Sequence, residues 1–154
     1  MTEDHFEIRA AQITDIETLK EFEQGVIAYE RPFASNLKKD PISYYDLKDL
    51  IARTDAQLLV LLIKNKIVAS GYALIKKSPP HKNPEFYAYL GFMYVAPSHR
   101  GMGLNGILCK ELIEWAKKQN ITEVQLDVYA ENESALSAYK KIGFKPDLLK
   151  MRLK

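Results

Sequence analysis

Residues 95–119 hold the densest chemistry in this chain: Arg100, Gly101, Gly103 and Gly106 come in quick succession. An apolar run ending at Val95 precedes them. Leu104, Leu108, Leu112 and Trp115 follow at helical spacing. Glycine turns the backbone through conformations closed to other residues. The first amide N–H groups of a helix have no partner within the helix, and the helix dipole adds partial positive charge there. A glycine loop feeding a helix therefore suits a phosphate or pyrophosphate. Arg100 adds a full charge and a forked set of donors.

Three phosphate-binding motifs compete for this loop. A P-loop is excluded because no glycine–lysine–serine or glycine–lysine–threonine triplet follows. Gly101, Gly103 and Gly106 do spell the dinucleotide fingerprint, with Asp127 about twenty residues on. In that fingerprint, however, the strand runs almost directly into the first glycine, and here residues 96–100 intervene. Asp127 lies inside its own predicted strand, and too little chain follows it to complete a doubly wound half. The third motif is Gln/Arg-x-x-Gly-x-Gly/Ala between a strand and a helix, met here by Arg100 and Gly103, with Asn105 at the last position and Gly106 after it. This stretch resembles the GNAT family of N-acetyltransferases. A second stretch, residues 126–146, resembles the family's later pattern through Asn132, Ala135, Tyr139, Gly143 and Phe144.

The resemblance implies acetyl-CoA as acyl donor and an amine acceptor, with direct attack in a ternary complex. It implies cofactor contacts from Met93, Val95, Arg100, Gly101, Met102, Gly103, Asn105, Gly106 and Asn132. Tyr139 matches the family tyrosine that points at the coenzyme sulfur, and is the expected acid for the leaving thiolate. Asn132 also suits a helix N-cap. An alkylamine with a pKa near ~10.4 must lose a proton before it attacks. Some members of the family carry a glutamate inside the central strand. Here Glu85, at the start of that strand, is the expected base. Glu30, Asp127, His81, His99 and a water relay past Tyr87, Tyr89 or Tyr94 are the other candidates. Backbone N–H groups in strand 85–95 are candidates for holding the oxyanion. Acceptor choice is expected in the loops 30–42 and 78–84, with Glu30 and Phe33 as substrate contacts. A different class of function fits the same motifs: a CoA-binding sensor or interaction module without turnover.

These residues need a frame. Phe6–Ala10 reads as a strand. Ile13, Ile16, Leu19, Phe22, Val26 and Tyr29 mark one face of a helix, and residues 43–52 a second helix. Apolar runs at 57–63 and 67–76 flank a Lys64-Asn65-Lys66 turn. Glu85–Val95 is apolar on both faces, as a central strand should be. A helix after Arg100, a strand at 123–129, a helix at 132–141 and one or two closing strands within 144–153 complete the order. The expectation is a single α/β domain over residues 1–154, a mixed sheet with helices on both faces. The resemblance adds that the two parallel central strands splay apart to admit the pantetheine arm.

Composition narrows the function classes. The 154 residues are 47% hydrophobic with a net charge of +2, which excludes a mostly disordered chain and argues against nucleic acid as a partner. No run reaches transmembrane length. The first residues lack the layout of a signal peptide. A cytoplasmic location away from membranes is expected, with a homodimer possible. The lone Cys109 excludes a disulfide framework and reads as a small buried thiol. No Cys/His cluster has metal-ligand spacing, so no metal is expected.

Overall fold

The computed structural model describes residues 5–154. Five strands form one sheet in the order β1-β2-β3-β4-β5: β1 (Phe6–Ala10), β2 (Ala56–Ile63), β3 (Lys66–Lys77), β4 (Phe86–Val95) and β5 (Val124–Leu126). The first three pairings are antiparallel, and β4 with β5 is parallel. Helices α1 (Ile16–Glu30) and α2 (Leu47–Ala52) lie between β1 and β2, α3 (Leu104–Lys118) between β4 and β5, and α4 (Glu133–Ile142) after β5. Lys64 and Asn65 both have positive φ, 51° and 63°. That is the conformation a tight two-residue hairpin requires, and it sets the β2–β3 register.

Strand alternation sorts the core into two layers. Leu58, Val60 and Leu62 of β2 pack with Leu19, Phe22, Val26, Leu47 and Leu50 of α1 and α2. Leu59, Leu61 and Ile63 face the other way, onto Leu104, Leu108 and Leu112 of α3. The sheet is thus covered on both faces, as the sequence predicts.

Three elements differ from expectation. The second helix begins at Leu47 rather than residue 43. Glu23, only 3% exposed, accepts hydrogen bonds from the backbone amides of Tyr44 and Tyr45, both at 2.8 Å. Those amides are held by a side chain, so the segment stays extended until Asp46 caps the Asp49 amide. The strand expected at 123–129 is ordered only at Val124–Leu126. No strand forms within 144–154, despite the alternation of Leu149, Met151 and Leu153 with basic residues. These three side chains are exposed.

Two irregularities flank the C-terminal half of β4. β5 pairs with β4 only at Ala88–Leu90, whereas β4 continues to Val95. The two strands therefore separate beyond Leu90. On its other side, β4 sets Phe92 and Met93 opposite the single residue Gly71 of β3. Phe92 takes a positive φ of 55° in this bulge. The fully buried Ser70 donates its hydroxyl to the Phe92 carbonyl at 3.2 Å and fixes the bend.

Candidate active site

The separation of β4 from β5 opens a cavity of about 220 Å³. Val26, Tyr29 and Glu30 of α1 line it, as do Met93, Tyr94 and Val95 of β4 and Arg100 of the loop. Asp127–Tyr129 close one side, and Asn132, Ala135 and Tyr139 come from the start and middle of α4. The chain approaches this space from four separate segments.

One wall is built by the loop before α3. Gly101 and Gly103 have φ of 82° and 77°, and a side chain at either would meet no atom within 4 Å. The loop thus presents open space at the helix start, where free amides concentrate. Arg100 donates Nε to the Val95 carbonyl at 2.9 Å, and its guanidinium lies 5.6 Å from the Tyr94 ring centre. The rest of its donor fork is left for a ligand. Tyr94 itself rests on α1 at Gly25, where a side chain would collide with the phenol. These features fit a pyrophosphate-bearing cosubstrate: a charged fork, positive-φ glycines and a fifteen-residue helix beginning at Leu104.

Tyr139 stands on α4 at the inner end of that wall. Its ring meets Phe144 edge-on at 5.9 Å. Burial holds its hydroxyl well above the ordinary phenol range; the nearby Cys109 adds to the rise and the Asn105 side chain opposes it. Asn132 is buried at the N-cap of α4, where its Oδ1 accepts from the Ala135 amide at 3.2 Å and the Tyr29 hydroxyl at 3.4 Å.

The opposite wall comes from α1, through Val26, Tyr29 and Glu30. Burial raises the Glu30 carboxyl above its ordinary value. The buried Tyr44 hydroxyl has no well-formed hydrogen bond, yet lies close enough to Glu30 for the carboxylate to add to the rise that burial gives it. Phe33 is absent from the lining. Its ring packs 6.0 Å from Tyr29, which does line the cavity. Tyr89 donates to Asp127 Oδ2 at 3.0 Å.

Of the residues singled out from sequence, Glu30, Met93, Val95, Arg100, Asn132 and Tyr139 meet around the cavity. Gly101, Met102, Gly103, Asn105 and Gly106 form the turn and first helical residues behind Arg100. Glu85 is not brought to this site. It precedes β4 at the end opposite Met93–Val95, roughly 25 Å away at strand rise, and is exposed beside Lys77. His81 and His99 do not line the cavity either. Cys109 is wholly buried, and burial pushes its thiol up to about 12. Sequence reading missed the burial of Glu23 and its bonds to the Tyr44 and Tyr45 amides, because the acids of α1 read as solvated positions off its apolar face. Among the described residues no group of three His, Cys, Asp or Glu is placed to hold a metal, and no helix is long and apolar enough to cross a membrane.

The family model for acetyltransferases of the GNAT type matches residues 22–144. The chain belongs to the GNAT family. Among its GNAT relatives, N-alpha-acetyltransferase 30 of Saccharomyces cerevisiae is 30% identical over 71 residues, 46% of this chain. The match takes in 40% of that relative, so the chain spans well under half the length of this curated protein. A Bacillus halodurans protein superposes with a TM-score of 0.87 at 19% identity, covering 96% of this chain and 98% of that one. A Clostridium acetobutylicum protein, described as a predicted acetyltransferase and solved with acetyl-CoA, gives 0.76 at 20% identity, covering 97% and 96%. At such identities the likeness is one of fold.

Proposed function

We propose that this GNAT chain is an acyl-CoA-dependent N-acyltransferase that moves an acetyl group from acetyl-CoA to a primary amine, by direct attack in a ternary complex. The observation that carries the reading is that one cavity brings together a carboxyl raised by burial, Glu30, and a half-buried phenol whose pKa is likewise raised, Tyr139. A base and an acid on opposite walls are what amide formation from a thioester requires.

Arg100 and the Gly101–Gly103 turn hold the pyrophosphate at the start of α3. Acetyl-CoA supplies the thioester carbon and its thiolate leaving group. Glu30, directly or through one water, takes the proton from the acceptor ammonium. Its raised pKa brings it closer to the amine it must deprotonate than an exposed carboxylate would be. The bulge at Phe92 breaks the ladder and frees backbone amides of β4 to donate to the oxyanion. Tyr139 donates its proton to the departing sulfur, and the second proton that the nitrogen loses as the amide forms restores the phenol through solvent. Because burial disfavours the phenolate that results, its contribution belongs at the modest end of general-acid effects.

The test is release of free thiol from acetyl-CoA as a function of added amine, across polyamines, amino acids, aminoglycosides and peptides. Amine-dependent release is the expected result. Tight acetyl-CoA binding without release for any amine would replace the enzyme with a CoA-binding sensor.

A further inference from the structure

The α1–α2 side of the sheet carries a row of phenol rings leading to the cavity. Tyr44 meets Tyr45 at 5.7 Å, Tyr45 meets Tyr72 at 5.8 Å, and Tyr72 meets Tyr89 at 6.4 Å. Two carboxylates flank the row. Asp127 accepts from Tyr89. Glu30 adds to the rise that burial gives Tyr44, Tyr45, Tyr89, Tyr129 and Tyr139, so one half-buried charge is felt by five phenols.

The nearby cations are largely committed elsewhere. Arg31 pairs with Asp40 at 2.7 Å and donates to the Lys38 carbonyl. Arg152 donates to Ser35 and favours ionised Tyr129, and Arg100 belongs to the opposite wall. Lys76 differs from these. Its ammonium sits 4.3 Å from the centre of the Tyr89 ring, and it has no carboxylate within ion-pair distance among the described residues. The chain thus places an alkylammonium of its own on an aromatic face whose hydroxyl is tied to Asp127. An exposed lysine on a flexible stem can be displaced from there by a ligand cation of the same chemistry.

Resting on the transferase reading above, we infer that the acceptor is an alkylamine carrying a second positive charge along its chain. Its reacting ammonium is drawn to Glu30, and its distal ammonium is read by Asp127 and the face of Tyr89. An amine with a distal carboxylate would instead meet two like charges.

Three acceptors of equal backbone length test this at saturating acetyl-CoA: 1,4-diaminobutane, n-butylamine and 4-aminobutanoate. The diamine should show a kcat/KM on the order of ten-fold above butylamine, and 4-aminobutanoate should be the poorest. Asp127→Asn should bring the diamine-to-butylamine ratio near unity. Lys76→Gln should widen that ratio by removing the resident competitor. Equal rates for the three, or preference for 4-aminobutanoate, would overturn the inference while leaving the transferase reading intact. No thiol release with any of the three, while another class of amine supports release, would overturn the inference alone; no release with any class of amine, acetyl-CoA still binding, would overturn the transferase reading as well.

Discussion

The two walls of the cavity are made in different ways. The wall behind Arg100 comes from one unbroken stretch, residues 95–106, and works through backbone: two positive-φ glycines, a helix start and one arginine. The wall around Glu30 is assembled from side chains of α1, β4, the residues after β5 and α4. A contiguous backbone device leaves a motif in the sequence. A side-chain mosaic leaves scattered residues whose meeting depends on the fold. The first wall suits a constant ligand, and the second can change its acceptor without disturbing the sheet.

If the walls divide the labour in this way, substitutions should separate kinetically. Glu30→Gln has the largest expected effect, a fall in kcat/KM for the amine of about 10²-fold or more. Burial raises the Glu30 carboxyl, so the acid limb of the pH profile should lie above the ordinary carboxyl value and vanish in the variant. Stability responds in the opposite sense. A raised folded pKa contributes stability in acid that is lost as pH rises through it, so the variant should be no less stable at neutral pH. A loss of melting temperature alongside activity would make Glu30 structural.

Tyr139→Phe keeps the ring on Phe144 and removes the proton donor. We expect kcat to fall about 10²-fold with acetyl-CoA affinity nearly constant. Native turnover would reduce Tyr139 to packing. Gly103→Val should weaken acetyl-CoA binding beyond ten-fold, because Cβ-branched bulk enters open space at a φ of 77°. Circular dichroism would separate that effect from unfolding. Arg100→Ala removes a charge-assisted contact of roughly 1.5–3 kcal/mol, about ten-fold or more in acetyl-CoA affinity, with little change for a pantetheine fragment lacking phosphate. The smallest effect belongs to Phe33→Ala. Loss of support for Tyr29 should raise the amine KM about three-fold and leave that for acetyl-CoA unchanged. Equal shifts in both constants would blur the division between the walls.

The order of strands and helices was legible because each long element carries its own pattern: α1 by its apolar face, and β2 by an unbroken apolar run bounded by a turn. The pyrophosphate loop was legible because its parts are neighbours in sequence. The proposed base was not. Glu85 precedes β4 at the end remote from the cavity, whereas Glu30 lines it only because α1 lies across β4. The helix expected from residue 43 lost its first turn to Glu23, a partner some twenty residues away. The bulge at Phe92 left no signal, since it arises from register against β3. The one or two closing strands expected within 144–153 do not form.

The most direct measurement is the crystal structure of this chain with acetyl-CoA. We expect the pyrophosphate on the Gly101–Gly103 turn and Arg100, the pantetheine arm between β4 and β5, and the thioester sulfur within hydrogen-bond reach of the Tyr139 hydroxyl. A cofactor bound outside the β4–β5 gap, or a thioester directed away from Tyr139 and Glu30, would contradict the proposed division of the two walls.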